Sequence, residues 1–142
     1  MQKTKLTAYT NRTQIPGEYK MVSYKTKEYD LLKKYHNMHI TEEESEIILK
    51  WLARSCQMEL IINFRNCGRS WGGKRRGKPF VTIAKWEKNV GVLIHEFAHA
   101  HNYHFGSGSS HNDGFIRTFD KFIKKFHNSK AREIVTIKER YN

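Results

Sequence analysis

The chain has 142 residues, a length that suits one domain with a single hydrophobic core. Its two cysteines, Cys56 and Cys67, form no C-x-x-C pair, which excludes a four-cysteine zinc ribbon and indicates a reduced compartment. Lysine and arginine number 26 against 14 acidic residues, so the formal net charge is +12. This excess favours polyanionic partners, nucleic acid first, although a generally solvated basic surface explains it about as well.

The amino-terminal segment is polar and shows no targeting signal. Residues 1–24 lack the apolar core of a signal peptide, and no run of 18 apolar residues suggests a membrane span anywhere in the chain. We therefore expect a soluble, cytoplasmic protein without membrane partners. Residues 1–24 are expected to form an extended arm or a short early helix.

Helical spacing of apolar residues predicts two helices in the first half of the chain. The first covers residues 28–35. The second begins at Thr41, because Thr41 and Glu44 have the spacing of a capping box. Its predicted apolar face consists of Ile47, Ile48, Trp51, Leu52 and Cys56.

Three short strands are predicted next. Residues 58–66 are rich in β-branched and aromatic types, which is typical of a strand. Residues 68–73 and 80–84 are predicted as two further strands, joined by a basic turn at residues 74–77. We expect a small antiparallel-type sheet, and hence a single α+β domain over residues 1–142.

After Trp86 the apolar period changes from two residues to about 3.6, which predicts a helix ending at Gly106. Its apolar face consists of Val90, Leu93, Ile94, Phe97 and Ala98. A serine–glycine turn then leads into a final helix over about residues 112–127. The apolar face of that helix consists of Phe115, Ile116, Phe119, Phe122, Ile123 and Phe126.

The stretch LIHEFAHAHNYHFGSGSSHNDGF, residues 93–115, holds five of the eight histidines. His95 and His99 lie about 40° apart around a helix, so both rings project from one face and can bind one ion. Glu96 directly follows His95 on the helix, so its side chain lies within reach of a water bound to that ion. This H-E-x-x-H arrangement is typical of sites in which zinc acidifies a water and glutamate removes its proton. The alternative, ordinary hydrogen-bonded histidines, leaves Glu96 and the downstream histidine unexplained.

A catalytic zinc site needs a third protein ligand. His101 and His104 point about 200° and about 140° away from His99 on the helix, so we interpret both as peripheral. His111 is better placed, because it lies where the final helix begins. That helix is expected to pack back against the preceding helix through its phenylalanines. Carboxylate alternatives are Asp113 and Asp120. The predicted site is one Zn²⁺ with Glu96 as general base and three ligands, His95, His99 and His111.

The segments GRSWGG, AKWEKNVGVLIHEFAHA and HNDGFIRTF resemble the SprT-like branch of the zincin metallopeptidases, including small versions encoded by bacteriophages. The resemblance covers about residues 62–122, although Asn112 stands where the family usually has glycine. It implies a zincin-like fold and a zinc endopeptidase of protein or peptide substrates, in the host cytoplasm if phage-encoded. The family's ligands fall on His95, His99 and His111, and its glutamate on Glu96. Candidates for stabilising the oxyanion are Arg69, Tyr103 and Arg117.

Members of this family cut proteins crosslinked to DNA, so the resemblance makes DNA an expected partner. A basic hairpin suits a phosphate backbone, and two tryptophans, Trp71 and Trp86, suit base stacking. Equally, a basic hairpin discourages strand pairing, and tryptophans at strand ends pack at the rim of a core. The predicted nucleic-acid residues are Lys74, Arg75, Arg76 and Lys78. The second functional class is a basic DNA-binding or host-interaction protein in which zinc only stabilises the fold.

Overall fold

The computed structural model describes Tyr35, residues 38–106 and residues 113–129. In this part of the chain the elements are α1 (Glu42–Ser55), β1 (Ile61–Arg65), β2 (Trp71–Arg75), β3 (Lys78–Ala84), a 3₁₀ turn (Lys85–Glu87), α2 (Val90–His104) and α3 (Asp113–His127). The predicted α+β fold is confirmed, with a three-stranded sheet packed against α2. The predicted arm, residues 1–24, lies outside the described residues, as does the predicted helix over residues 28–35 except for Tyr35, which is helical.

The capping box that begins α1 is confirmed. Glu44 N donates to Thr41 Oγ1 at 3.0 Å, and Thr41 N donates to Glu44 Oε1 at 2.8 Å. The buried side chains of α1 are Ser45, Ile48, Leu49, Leu52 and Ala53. Placing Ile47 on this face was wrong, because successive residues lie about 100° apart and Ile47 falls on the exposed flank.

The sheet has the order β1-β3-β2 and is mixed, whereas an antiparallel-type sheet was predicted. β2 and β3 form the predicted antiparallel hairpin, closed by Arg76 and Gly77 with φ of 52° and 79°. Two positive φ values are the pattern of a type I′ turn, so the turn is two residues shorter than predicted. Residues 66–70 leave room for one strand between β1 and β2, and β3 occupies it. β3 runs antiparallel to β2 and parallel to β1.

α2 lies at the centre of the hydrophobic core. Its five predicted core residues are all buried, and β3 adds Val81 and Ile83. α3 contributes Phe115, Phe119, Phe122, Ile123 and Phe126, while Ile116 is only half-buried. Among the described residues, no helix has the length and apolar character needed to cross a membrane.

Both ends of α2 are fixed by hydrogen bonds. Val92 N donates to the side chain of the capping residue Asn89 at 2.9 Å. Val90 N also donates to Met38 O, and Ile40 N donates to Lys88 O, so residues 38–40 hold the beginning of the helix. The helix ends at His104, and Gly106 follows with a φ of 85°, as the sequence predicts. The helix that carries the histidines therefore has defined ends.

Candidate metal centre

Three potential metal ligands meet on the middle turns of α2. His95 and His99 are 5% and 8% exposed, and their ring centroids lie 4.9 Å apart. Together with Glu96 they form a group in which one ligand atom from each residue lies within 4.8 Å of the others. The structure therefore brings His95, Glu96 and His99 together as a possible metal site on α2.

The donor set fits a zinc ion. Zinc binds imidazole nitrogen and carboxylate oxygen at about 2.0–2.2 Å, which puts two ligand atoms about 3.4 Å apart in a tetrahedral site. Ligand atoms already within 4.8 Å of one another need only small side-chain rotations to reach that spacing. His95 and His99 are therefore suited to hold one ion, with Glu96 beside it.

Aromatic rings of α3 pack against the histidine pair. Phe115 stacks on His99 with a centroid distance of 4.3 Å and an interplanar angle of 21°. His95 lies edge-on to Phe115 at 5.1 Å and to Phe119 at 5.4 Å. These contacts limit rotation of both imidazoles and exclude water from that side, which is how rigid ligand sites are built.

Strand β2 touches the backbone of α2 at the candidate site. A Cβ atom on Gly72 would lie 2.1 Å from the carbonyl oxygen of Glu96, so only glycine permits this approach. This role of Gly72 is not among those predicted from the sequence. The sequence feature that could have indicated this contact is the Gly72–Gly73 pair inside a strand, because glycine in a strand indicates close approach of another backbone.

A buried hydrogen-bond clamp fixes the beginning of β2. Ser70 N and Oγ both donate to Glu87 Oε1, at 3.0 and 2.9 Å, and Ala84 N donates to Ser70 Oγ at 2.8 Å. One serine thus joins the start of β2 to the end of β3 and to the 3₁₀ turn. Sequence reasoning missed Ser70 and Glu87, because no local pattern links residues 17 positions apart.

His101 stands outside the three-residue group and faces other rings. These rings belong to Phe97, Phe105 and Phe122. Burial lowers the pKa of His101, a hydrogen bond with Asn102 opposes that shift, and the charges of Lys121 and His104 lower the pKa further. Thr118 Oγ1 donates to Asn102 Oδ1 at 3.1 Å, which ties α3 to α2.

His104 is likewise outside the group. Its ring lies 4.8 Å from that of Phe105, and its Nδ1 is buried without a hydrogen-bond partner. Of the oxyanion candidates, Tyr103 lies about 10.5 Å along the helix from Glu96, next to Gly73. Arg69 and Arg117 are exposed.

The third predicted ligand, His111, lies outside the described residues, as does the side chain of Asp113. The four predicted nucleic-acid residues are described and exposed: Lys74, Arg75, Arg76 and Lys78. Arg75 lies over the ring of Phe80, with its Cζ 4.9 Å from the centroid. The roles of His111 and of the basic hairpin stay predictions.

The fold and the site define a class: an α+β protein with a candidate His–Glu–His metal site on a buried helix. No family model, curated protein or solved structure matches the chain significantly.

Proposed function

We propose that this protein is a zinc-dependent metallopeptidase. The observation that carries the proposal is the meeting of two buried imidazoles and one half-buried carboxylate on adjacent turns of α2. When bound, zinc supplies Lewis acidity that acidifies water and polarises a peptide carbonyl. His95 and His99 would hold the ion, and Glu96 would accept the proton of the attacking water. Glu96 then passes that proton to the amine nitrogen that leaves.

Burial separates the role of Glu96 from that of the histidines. The histidines lie under the rings of α3, whereas Glu96 is partly exposed and projects about 100° round the helix from His95. A carboxylate in this position is open to solvent and lies beside the two imidazoles. The contact with Gly72 fixes the backbone from which the Glu96 side chain projects.

We propose His111 as the third ligand and the SprT-like zincins as the family. The support for His111 is that α3 begins two residues later and that Phe115, four residues later, stacks on His99. The support for the family is the H-E-x-x-H helix packed under a small sheet. Zinc retained at full stoichiometry and affinity in His111→Ala would move the third ligand to Asp113, Asp120 or His104.

We propose an extended peptide as the substrate. In the described part of the chain β2 is an edge strand, and it packs against the turn of α2 that carries Glu96. Edge strands offer unpaired backbone groups to an extended chain, which binds by adding a strand. A peptide bound in this way runs past the proposed general base.

The test of the proposal is Glu96→Gln, which keeps the shape of the side chain but removes its ability to accept a proton. We expect peptide cleavage to fall by at least about 100-fold, the usual contribution of a general base. Zinc content should stay near one ion per chain. Glu59→Gln, at an exposed position before β1, is the matched control and should cleave normally. Unchanged turnover in Glu96→Gln would refute the proposal.

The second candidate is a basic DNA-binding or host-interaction protein that keeps a metal only to stabilise its fold. The observation that favours it is the deep burial of His95 and His99 between α2 and α3, where an ion would join two helices. A structural ion of this kind is part of the folding free energy, so its removal unfolds the chain. A catalytic ion is removed with loss of activity and with the fold largely intact.

A further inference from the structure

The sheet region carries most of the positive charge of the protein. Residues 61–88 contain eight lysine and arginine residues and one acidic residue, Glu87, which gives a net charge of +7. The whole chain carries +12, so about a fifth of the sequence holds more than half of the net charge. Seven of the eight cationic side chains are exposed, and Lys88 is half-buried.

These charges are not neutralised within the described part of the chain. Lys50 and Glu46 form an ion pair on α1, whereas none of the eight cations of residues 61–88 lies within ion-pair distance of a described carboxylate. The carboxylate of Glu87 accepts two hydrogen bonds from Ser70. One or two charges are enough to protect an edge strand from pairing, whereas eight produce an extended positive potential that attracts polyanions.

Two tryptophans lie within the same region. Trp86 is 56% exposed although its Nε1 donates to Cys67 O at 3.0 Å, so its polar atom is satisfied and its ring is held with a wide apolar surface in solvent. Trp71 is 38% exposed. Side chains alternate along a strand, so Trp71 and Arg75 lie on the same face of β2.

The tryptophans lie towards the open end of the β2–β3 hairpin, and cations occur along the hairpin as far as its turn. Arg76 and Gly77 form the turn at one end, and Cys67, beside Trp86, marks the other. β3 has seven residues, and seven residues of extended chain span about 23 Å. That length accommodates a single strand of several nucleotides, within the roughly 4–16 nucleotides of known single-strand sites.

We infer that the β2–β3 ribbon, residues 67–86, binds single-stranded nucleic acid. The bases stack on Trp71 and Trp86, and the phosphates lie along the flanking cations. A duplex satisfies the cations equally well but keeps its base faces inside the helix, so the exposed indoles favour a single strand. The inference does not rest on the metal site, and it stands or falls independently of the peptidase.

The test uses the full chain and fluorescence anisotropy with a labelled oligothymidylate and a duplex of equal length. We expect salt-sensitive binding, since released counterions contribute to affinity. Trp86→Ala should weaken binding of the single strand by about 5- to 100-fold, the usual effect of losing one stacked base. Binding of the duplex should change less than about twofold, because it makes no stacking contact.

A variant that lacks two cations of the ribbon, and a control that lacks two cations elsewhere, separate binding at the ribbon from general attraction to a basic protein. Arg69→Gln with Lys85→Gln should weaken binding at the ribbon. The matched variant, Lys50→Gln with Arg54→Gln on α1, removes the same charge elsewhere and should bind nearly as wild type. Trp86→Phe keeps a stacking ring and should retain most of the affinity, which separates loss of stacking from loss of folding.

Three outcomes would overturn the inference. One is absence of binding at low salt. Another is wild-type affinity in both Trp86→Ala and the Arg69/Lys85 variant. The third is equally tight binding of polyglutamate of the same charge, which would show attraction to any polyanion.

Discussion

At the scale of single residues, Gly72 decides how closely β2 approaches the helix that carries the site. A methyl group there would lie 2.1 Å from a backbone oxygen of α2, and backbone cannot move away as a flexible side chain does. We expect Gly72→Ala to destabilise the fold by about 1–3 kcal/mol or more, the usual cost of overpacking. Urea denaturation measures this loss. Gly68→Ala, where the added atom meets nothing within 4 Å, is the control. Equal stability of the two variants would contradict the close contact.

Ser70 gives a second prediction at this scale. In Ser70→Ala the buried N–H of Ala84 loses its acceptor, and Glu87 loses the hydrogen bond from the hydroxyl while keeping the one from the backbone N–H of residue 70. The cost of a buried donor without a partner is about 1–3 kcal/mol. Ser55→Ala removes an exposed hydroxyl that donates to Leu52 O and should change stability by less than about 0.5 kcal/mol. Thermal or urea unfolding that ranks the two serines equally would contradict the clamp.

The residues of the candidate site differ in how far the sequence predicts them. His95, Glu96 and His99 are predictable because four-residue spacing on a helix is local geometry. The contact of Gly72 with Glu96 joins residues 24 positions apart, so it depends on how the sheet packs on the helix. Local patterns indicate that a glycine pair is unusual in a strand, but not what approaches it.

At the scale of elements, the hairpin turn contains a residue in a strained conformation. Arg76 has a φ of 52°, in the left-handed region that asparagine adopts more readily than arginine. Asn-Gly is the preferred pair for this turn, so Arg76→Asn should stabilise the fold by a few tenths to about 1 kcal/mol. Lys74→Asn removes the same charge from within β2, where asparagine is disfavoured, and should be neutral or destabilising. The midpoint of urea unfolding compares them; a midpoint lowered by Arg76→Asn would contradict the turn assignment.

The helices and the hairpin are predictable from sequence because their signals are local. Thr41 and Glu44 mark the beginning of α1, and Gly106 marks the end of α2, each through backbone geometry within a few residues. The parallel pairing of β1 with β3 is not local. It depends on whether residues 66–70 place β2 next to β1 or leave room for β3 between them. The alternation of apolar residues is the same in both arrangements.

At the scale of the whole molecule, an ion bound at the proposed site would stabilise the native state. Binding stabilises the native state by RT ln(1 + [L]/Kd), about 4 kcal/mol at a free ligand concentration of 1,000 Kd. We expect a chelator to lower the melting temperature and abolish cleavage, while the near-ultraviolet circular dichroism at 25 °C stays native. The core formed by α2, α3 and β3 explains why the fold should persist. Complete unfolding on chelation at 25 °C would instead favour the structural ion.

The measurement that tests the central claim most directly is zinc content and affinity per chain, determined by mass spectrometry. Wild type and Glu96→Gln should each bind about one zinc ion, and His39→Ala, which removes an exposed histidine outside the site, should match them. The double variant His95→Ala with His99→Ala should bind little or none. Zinc bound by that double variant with wild-type stoichiometry and affinity would contradict a metal centre on α2.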